Sequence, residues 1–569
     1  MQEGTQAQGE QRRWLPELVT ALVAIAVYAR SFEFDFAFDD VAIIVHNITV
    51  HSWRFLPDYF TRDLWQNVQP NTGYYRPLVL LWFRVNDALF GLHPVWWHLT
   101  SVLAHTLASV LVLRLAMRLT GNQKLSWIAG LLFAVHPVHV ETVSWISDVV
   151  DALLTAWFVG GMLCFLRWRA TRRAAWLAAS LLCYSGAMLT KEPGFVLPAV
   201  LFLYVLMMET EPLGARVKNA FIAILAYIPL AVIYLFARHH AIRGFSVQLQ
   251  PMSDISILLT IPTVLWAYLR SLLLPFGLGP FYDLPRVTAA AWQTFFSPLI
   301  GVLAVAALVC LVARKASGAT TRFVAFAIAW SVVTIAPALD LPAFPPSEMV
   351  HDRYIYLASV GFCLLAAAVL GHLETRTAAL ATVAIVLALG ALSFRQQGFW
   401  RDDITMFSRG VEISPHNDNA EAGLATLVAR KGDYPLAISL YRDVLKRNPT
   451  QMNANLNLGW TYVLLGDYAN AEPFLTTAAT HYTNSPDPFI YLGVLYSETN
   501  RLDLALASLR RAEALSVPRA SIHEQISEVL ERKGDIAGAI GEMETALQIA
   551  PNDPRLATRL RELQSRSTR

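Results

Sequence analysis

Residues 95–117 read VWWHLTSVLAHTLASVLVLRLAM, an apolar run long enough to cross the hydrocarbon core of a bilayer as one helix. Eleven similar runs occur at about 14–30, 125–141, 149–166, 175–190, 194–208, 219–237, 256–274, 296–313, 323–338, 354–371 and 377–394. The chain of 569 residues is 55% hydrophobic and only 15% charged, and its mean hydropathy is +0.41. These values exclude an ordinary soluble protein and predict a polytopic membrane protein.

Basic residues between the runs predict the orientation, because cytoplasmic loops carry an excess of Lys and Arg. They cluster at Arg12, Arg13, Arg114, Arg118, Lys124, Arg167–Arg173, Arg216, Lys218, Arg314, Lys315 and Arg322. The basic loop at 314–322 is cytoplasmic only if the run at 256–274 turns back without crossing. We therefore predict about eleven spans and an outer C-terminus. The segment Tyr74–Phe90 has charges within an apolar pattern, which favours a helix lying in the outer interface.

Acidic and basic side chains converge on the outer side in this topology. Asp39 and Asp40 follow the first run, where an ionisable residue is costly unless it faces water, a partner or a substrate. Other polar residues assigned to this side are Arg76, His136, His139, Glu141, Asp148, Asp151, Lys191, Glu192, His351, Asp352, Arg353 and Tyr354. A carboxylate in apolar surroundings suits general-base catalysis, and Arg and Lys suit a phosphate leaving group. We interpret the set as a candidate active site.

Each segment also has a plainer interpretation, which the sequence leaves open. The acidic pair could belong to a solvated loop, and Lys191 with Glu192 could be a neighbouring ion pair that caps a span. Tyr354 fits a belt of interfacial aromatic residues, and Arg76 fits a side chain that reaches lipid headgroups. The motif HPVHVE at 136–141 could hold zinc, but its spacing is not typical of zinc ligands. We assign no metal site and leave a divalent cation open.

The polar C-terminal part repeats every 34 residues. Gly432-Asp433-Tyr434, Gly466-Asp467-Tyr468, Asn500-Arg501-Leu502 and Gly534-Asp535-Ile536 are equivalent, and Ala437, Ala471, Ala505 and Ala539 follow in register. This period is typical of tetratricopeptide repeats, which pair two antiparallel helices. We predict an all-α protein with a polytopic bundle at 1–394 and an α-solenoid at 395–569, with four full repeats at about 418–553. The residues 400–415 resemble a degenerate half-repeat.

The motifs in order also resemble a known family. FDD at 38–40, RPL at 76–78, HPVHVET at 136–142, KEPG at 191–194 and HDRYIYLASVGF at 351–362 precede the repeats. This order is similar to that of the transmembrane and tetratricopeptide-repeat proteins. Their membrane half is a GT-C glycosyltransferase similar to protein O-mannosyltransferases.

The resemblance implies an inverting glycosyltransferase on the non-cytoplasmic face. Its donor would be a polyprenyl-phosphate-linked sugar, with mannose as the first expectation, and its acceptor a protein Ser or Thr hydroxyl recruited by the repeats. Asp39 and Asp40 would be the catalytic candidates, and Arg353, His351, Lys191 and Arg76 would hold the donor phosphate. The sugar, the acceptor and the choice between the two acids stay open.

The short loops fit a bacterial plasma membrane with the repeats on the periplasmic side. The charge pattern excludes nucleic acid as an expected partner, whereas membrane lipids and a peptide acceptor are expected partners. Two other functions are weighed against catalysis. A non-catalytic scaffold for envelope assembly would need only the repeats, and a transporter of lipid-linked sugar would place its ionisable residues near the middle of the membrane.

Overall fold

A computed structural model describes residues 14–66, 73–242, 244, 252–315, 318–345, 348–516 and 518–567. The regular structure in these ranges is helical, without a β-strand, as the sequence predicts. The basic residues Arg12 and Arg13 lie outside the described ranges. The chain divides into two compact units, the first ending at Ser414 and the second beginning at Pro415. The domain boundary expected at 394 and 395 stays a prediction.

The first unit is a bundle of apolar helices with short helical turns between them. Its helices are α1 (Leu15–Tyr28), α2 (Leu56–Tyr59), α3 (Pro77–Phe90), α4 (Pro94–Thr120), α5 (Gln123–Val135), α6 (Val140–Ser144), α7 (Val150–Thr171), α8 (Ala174–Thr190), α9 (Leu197–Met208), α10 (Leu213–Leu225), α11 (Ile228–Ile242), α12 (Asp254–Leu273), α13 (Ser297–Lys315), α14 (Ala319–Ile335), α15 (Ser359–Gly371), α16 (Thr375–Gln397) and α17 (Asp403–Ile413). The segment expected to be a half-repeat is thus α17, and it belongs to the first unit.

Each of the twelve apolar runs corresponds to one helix or helix pair. Within the described ranges, seven helices are long and apolar enough to cross a membrane, and α10 with α11, bent by 44°, adds an eighth candidate. The runs at 125–141, 175–190, 194–208 and 354–371 form shorter apolar helices. The multi-pass architecture is confirmed, and the number of crossings stays approximate. The segment 74–90 forms α3 as expected, and its place in the interface stays a prediction.

The core of the first unit forms where small residues let helices approach. Gly130 on α5 lies against α4, since a Cβ there would stand 2.7 Å from Leu113 Cβ. Large aromatic side chains such as Phe133, Phe158 and Trp330 fill the interior and are fully buried. Such packing gives the bundle a rigid frame from which the connecting turns project.

The second unit consists of helix pairs. The members are α18 (Asp418–Arg430), α19 (Tyr434–Arg447), α20 (Met452–Leu464), α21 (Tyr468–His481), α22 (Asp487–Glu498), α23 (Leu502–Leu515), α24 (Ala520–Arg532), α25 (Ile536–Ile549) and α26 (Pro554–Ser567). The turn within each pair needs a left-handed residue, and Gly432, Gly466, Asn500 and Gly534 have φ of 89°, 73°, 59° and 85°. Glycine and asparagine adopt this conformation at the lowest cost, which explains the repeat pattern.

Candidate active site

A cavity of about 640 Å³ opens in the first unit, and connecting turns from both halves of the bundle line it. Its ionisable lining residues include Asp39, Arg76, Glu141, Asp148, Asp151, Lys191, Glu192, Arg238, Asp340, Glu348, His351, Arg353 and Tyr354. Aromatic lining residues include Phe38, Trp65, Tyr74, Trp145, Phe281 and Trp400. Ten of the fourteen residues proposed for the site from the sequence therefore meet in one cavity. The exceptions are Asp40, His136, His139 and Asp352.

Asp39 presents a carboxylate to this cavity without a fixed partner. The side chain is half-buried, and among the described residues no hydrogen bond or ion pair reaches it. Burial raises the pKa of Asp39 to about 7, although the Arg353 guanidinium opposes the shift. Negative charge on Asp40, Glu348 and Asp403 adds to the increase. A carboxylate with this pKa can take a proton near neutral pH.

Asp40 has a different environment, although it is the next residue. Its side chain is 1% exposed, and its two oxygens accept hydrogen bonds from Ala37 N at 3.1 Å and Ser147 N at 2.8 Å. Burial raises the pKa of Asp40 to about 7, and these hydrogen bonds oppose the shift. Both oxygens are thus used to tie the turn at 37–40 to the segment before α7.

The turn between Ala37 and Asp39 depends on an uncommon backbone conformation. Phe38 has φ of 56°, which is costly for a residue with a bulky side chain, by about 1–3 kcal/mol. Its N–H donates to Asp403 Oδ1 at 2.6 Å, and its ring packs against Trp145 and Phe407 with centroids 5.5 and 5.6 Å away. A hydrogen bond to a charged acceptor contributes about 1.5–3 kcal/mol, enough to offset the strain.

Arg353 is the centre of a charged group on the opposite side of the turn. Its guanidinium forms an ion pair with the fully buried Glu141, and Arg353 N donates to Glu141 Oε2 at 3.0 Å. Asp148 Oδ1 lies 3.9 Å from Arg353 Nε, and His351 Nδ1 lies 3.4 Å from Glu141 Oε1. Burial and Arg353 lower the pKa of His351, so its ring is neutral at pH 7. The group therefore holds two carboxylates around one guanidinium.

Lys191 and Asp151 form a second buried ion pair. Lys191 Nζ also lies 5.6 Å from the centre of the Tyr354 ring, and Arg353 Cζ lies 5.1 Å from the same ring. Two cations thus lie close to the same aromatic ring in the cavity. The alternative in which Lys191 pairs with its neighbour Glu192 is wrong, because each of them has its partner on another helix.

Glu192 has two arginine partners. Its Oε2 lies 2.8 Å from Arg76 Nη2, and its Oε1 lies 3.1 Å from Arg238 Nη1. Arg238 also donates to Gly73 O at 3.0 Å. Two guanidinium groups contact one carboxylate here, so this part of the cavity brings together two side chains of the kind that bind phosphate.

His136 and His139 lie in the protein interior. His136 Nε2 contacts Leu272 O at 3.0 Å. The ring nitrogens of His139 contact Phe133 O and Ser359 Oγ, each at 2.8 Å. Both ring nitrogens of His139 already have a hydrogen-bond partner, so neither is available to bind a metal. The zinc interpretation of the motif is therefore not supported. Both histidines fix the turn that carries Glu141.

In the described residues, three close metal-ligating side chains occur together at Glu513, His523 and Glu542 in the second unit. Arg510 pairs with both glutamates, at 2.9 Å and 2.5 Å, and already neutralises them. Sequence reasoning had not singled out this group.

Some lining residues were missed at the sequence level. Arg238 lies within α11, directly after the apolar run at 219–237, and only its place beside two histidines could have marked it. Trp145 and Trp400 stack with centroids 5.7 Å apart and form one aromatic wall, but they are 255 positions apart in the chain, and neither stands in a motif. Asp403 acts through a long-range contact that no local pattern shows.

Comparison with known proteins finds similarity in both units of the chain. Residues 74–249 match the profile of dolichyl-phosphate-mannose-protein mannosyltransferases, and residues 423–487 and 492–554 match that of tetratricopeptide repeats. The first match contains Arg76, Glu141, Lys191 and Arg238, whereas Asp39 lies before it.

Several known proteins are similar to most of this chain. Protein O-mannosyl-transferase TMTC3 of Homo sapiens is 24% identical over 80% of this chain and 54% of its own length. The human proteins of the same name designated TMTC1 and TMTC4 are 26% and 28% identical over 78% and 75% of this chain, and over 56% and 65% of their own lengths. The expected resemblance is confirmed, and the chain spans between half and two thirds of the length of these relatives.

Proposed function

We propose that this protein is a membrane glycosyltransferase that moves a sugar, with mannose as the first candidate, from a polyprenyl-phosphate carrier to an acceptor hydroxyl. The observation that carries the proposal is the carboxylate of Asp39, which has no hydrogen bond or ion pair among the described residues, in a cavity that the guanidinium groups of Arg76 and Arg238 also line. The similarity to protein O-mannosyl-transferases supports the choice of mannose and of a protein Ser or Thr as acceptor.

The reaction needs one base and one stabilised leaving group. Asp39 takes the proton of the acceptor hydroxyl as its oxygen attacks the anomeric carbon of the donor. The bond between that carbon and the phosphate oxygen breaks, and its electron pair leaves with the polyprenyl phosphate. Attack from the face opposite the leaving group inverts the anomeric centre. No nucleotide takes part in this step.

The environment of the two acids favours Asp39 over Asp40 as the base. A general base must reach its substrate, whereas Asp40 is 1% exposed, does not line the cavity and accepts a hydrogen bond at each oxygen. The carboxylate of Asp39 faces the cavity, and its pKa of about 7 matches proton transfer near neutral pH. Asp40 has the role of fixing the turn.

Arg76 and Arg238 are proposed to hold the donor phosphate. A phosphate that approaches Glu192 meets two guanidinium groups, each able to exchange part of its pairing with the carboxylate for the new anion. Lys191 and Arg353 are bound more tightly by their own carboxylates and set the shape of the cavity between the phosphate and Asp39. His351, being neutral, would act as a hydrogen-bond partner rather than as a cation.

The repeats are proposed to recruit the acceptor, since stacked helix pairs present an extended surface for a peptide. We place the reaction on the outer face of a bacterial plasma membrane, with the repeats on the same side, because the positive-inside pattern assigns both the acidic turn and the C-terminus there. The division into a catalytic half at 1–394 and a repeat half at 395–569 belongs to the same proposal.

The test is transfer by the purified protein in lipid nanodiscs. Wild type, Asp39→Asn and the matched control Asp35→Asn receive radiolabelled polyprenyl-phosphate-mannose and a peptide rich in Ser and Thr. Asp35 is exposed, lies four positions from Asp39 and is absent from the cavity lining. We expect transfer by wild type and the control, and none by Asp39→Asn. Equal transfer by all three would refute the assignment. Absence of transfer with mannosyl, glucosyl and galactosyl donors would favour the non-catalytic scaffold.

A further inference from the structure

Helix α17 lies between the membrane half and the repeats in the chain, yet its first turn contacts the turn at 37–40 that carries Asp39. Asp403, at the first position of α17, accepts a hydrogen bond from Phe38 N at 2.6 Å. The two residues are 365 positions apart in the chain. Phe407, one turn further along α17, packs its ring on Phe38. The helix therefore contacts both the backbone and the side chain of the residue before Asp39.

The helix is itself held in place from the other side. Arg409 donates to Leu278 O through two nitrogens at 3.3 Å, and Ser414 Oγ donates to Phe281 O at 2.8 Å. The ring of Phe281 stacks on Phe407 with centroids 5.6 Å apart. These bonds fix α17 against the turn at 278–281, so that Asp403 stands at a defined place relative to the cavity.

The conformation that Asp403 holds decides which way Asp39 points. Phe38 has φ of 56°, a left-handed conformation that a phenylalanine rarely adopts without support. Return of Phe38 to an ordinary conformation would rotate the following peptide and turn Asp39 away from the cavity. The hydrogen bond to Asp403 fixes the peptide between Ala37 and Phe38, and the packing of the Phe38 ring on Trp145 and Phe407 holds its side chain, so that both contacts oppose this rotation.

We propose that Asp403 is a positioning residue, which holds the Phe38 turn so that the carboxylate of Asp39 faces the cavity. The role of Asp39 as base rests on the function proposed above, whereas the holding of the turn does not. Asp403 does not touch the substrate. It acts on the reaction through the Phe38 backbone and through its negative charge near Asp39.

Hydrogen exchange tests the holding of the turn without reference to activity. Amide exchange of a peptide covering residues 36–44 is measured in nanodiscs for wild type, Asp403→Ala, Asp403→Asn and the control Glu412→Gln. Glu412 is an exposed acid on the same helix, with a side chain 65% exposed. We expect exchange of the Phe38 amide to increase at least about 10-fold in Asp403→Ala. Asp403→Asn should retain most of the protection, because its amide oxygen still accepts. Unchanged exchange in Asp403→Ala would overturn the proposal.

Kinetics then test the consequence for the base. Asp403→Ala should lower kcat by about 10²-fold with little change in the KM for the donor, as expected when a catalytic group is misplaced by about 1 Å. Asp403→Asn should restore kcat to within a few fold of wild type. It should also move the acidic limb of the rate profile to lower pH, because it removes a negative charge that raises the pKa of Asp39.

The outcomes separate the two proposals. If Asp403→Asn is as slow as Asp403→Ala while its turn stays protected, Asp403 does not act by positioning. A merely structural role would alter the melting temperature of all Asp403 variants and leave the pH limb unmoved. If wild type shows no turnover with any donor but exchange responds as expected, the proposed function fails and the holding of the turn stands.

Discussion

Asp39→Asn should inactivate the protein and at the same time stabilise it. In the unfolded chain an Asp carboxyl has a pKa of about 3.9, and burial in the folded state raises the pKa of Asp39 to about 7. The folded state therefore binds the proton more tightly than the unfolded state. Between these two values, stability falls as pH rises, since deprotonation favours unfolding. An asparagine does not ionise, so the stability of Asp39→Asn should not fall in this way as pH rises.

The size of the effect follows from the same shift. At about 1.4 kcal/mol per pKa unit the full difference would be roughly 4 kcal/mol, but Asp39 is half-buried and solvent screens part of it. We expect Asp39→Asn to gain about 1–2 kcal/mol above pH 7 and nothing below about pH 4. Asp39 has no hydrogen bond or ion pair among the described residues, so no contact is lost to offset this gain. Loss of a general base lowers kcat by about 10²–10⁴-fold.

The assay is a pair of measurements on the same samples. Melting temperatures of wild type and Asp39→Asn are compared at about pH 4.5 and pH 8 at one scan rate, together with transfer rates at about pH 7.5. A rise in melting temperature that appears only at the higher pH, with transfer lost, agrees with a buried catalytic carboxylate. A variant that melts lower than wild type at both pH values would show that Asp39 stabilises the fold, and the argument for a free base would fail.

Three further changes test other parts of the structure. Asp40→Ala should destabilise the protein by about 2–4 kcal/mol, because Ala37 N and Ser147 N both lose their acceptor, and chemical denaturation would measure it. Unchanged stability would contradict the structural role of Asp40. Arg238→Ala should raise the KM for the donor about 10–100-fold and leave expression unchanged, and donor titration of the transfer rate measures it. An unchanged KM together with an unchanged kcat would exclude a phosphate contact. Gly466→Ala should destabilise the second unit by about 1–2 kcal/mol, since φ is 73°, whereas Gly541→Ala, within α25, should not. Limited proteolysis of the repeats compares the two, and equal resistance would be contrary to expectation.

The fold could be predicted from the sequence because its signals are local. An apolar run long enough to span a membrane is visible without knowledge of its neighbours, and each of the twelve runs corresponds to a helix or a bent pair. The repeat is equally local, since the second helices of the pairs begin 34 residues apart at Tyr434, Tyr468, Leu502 and Ile536. The placement of 400–415 could not be predicted in this way, because α17 belongs to the first unit through contacts with residues near 38 and 278.

The candidate site was predictable in composition and not in pairing. Motif order indicated that Asp39, Lys191 and Arg353 serve one site, and the cavity contains all three. Ion pairs depend on which helices become neighbours, so the partners of Lys191 and Glu192 could not be read from adjacent positions. The choice between Asp39 and Asp40 depends on the burial of Asp40 and on its hydrogen bond from Ser147 N, which is 107 positions away in the chain and cannot be read from the sequence.

The carboxylates of the cavity differ in what they contribute. Asp40 stabilises the turn, Glu141 and Asp151 each balance a cation, and Asp39 has no partner and destabilises the fold whenever it is charged. A group that lowers stability without a packing role is retained at a position where function requires it. Neutralising Asp39 should thus increase the free energy of unfolding. Neutralising Glu141 should decrease it, because Arg353 would stay buried without its closest partner. The opposite sign of these two changes in stability, rather than loss of activity alone, distinguishes the reacting carboxylate from the carboxylates that shape the cavity around it.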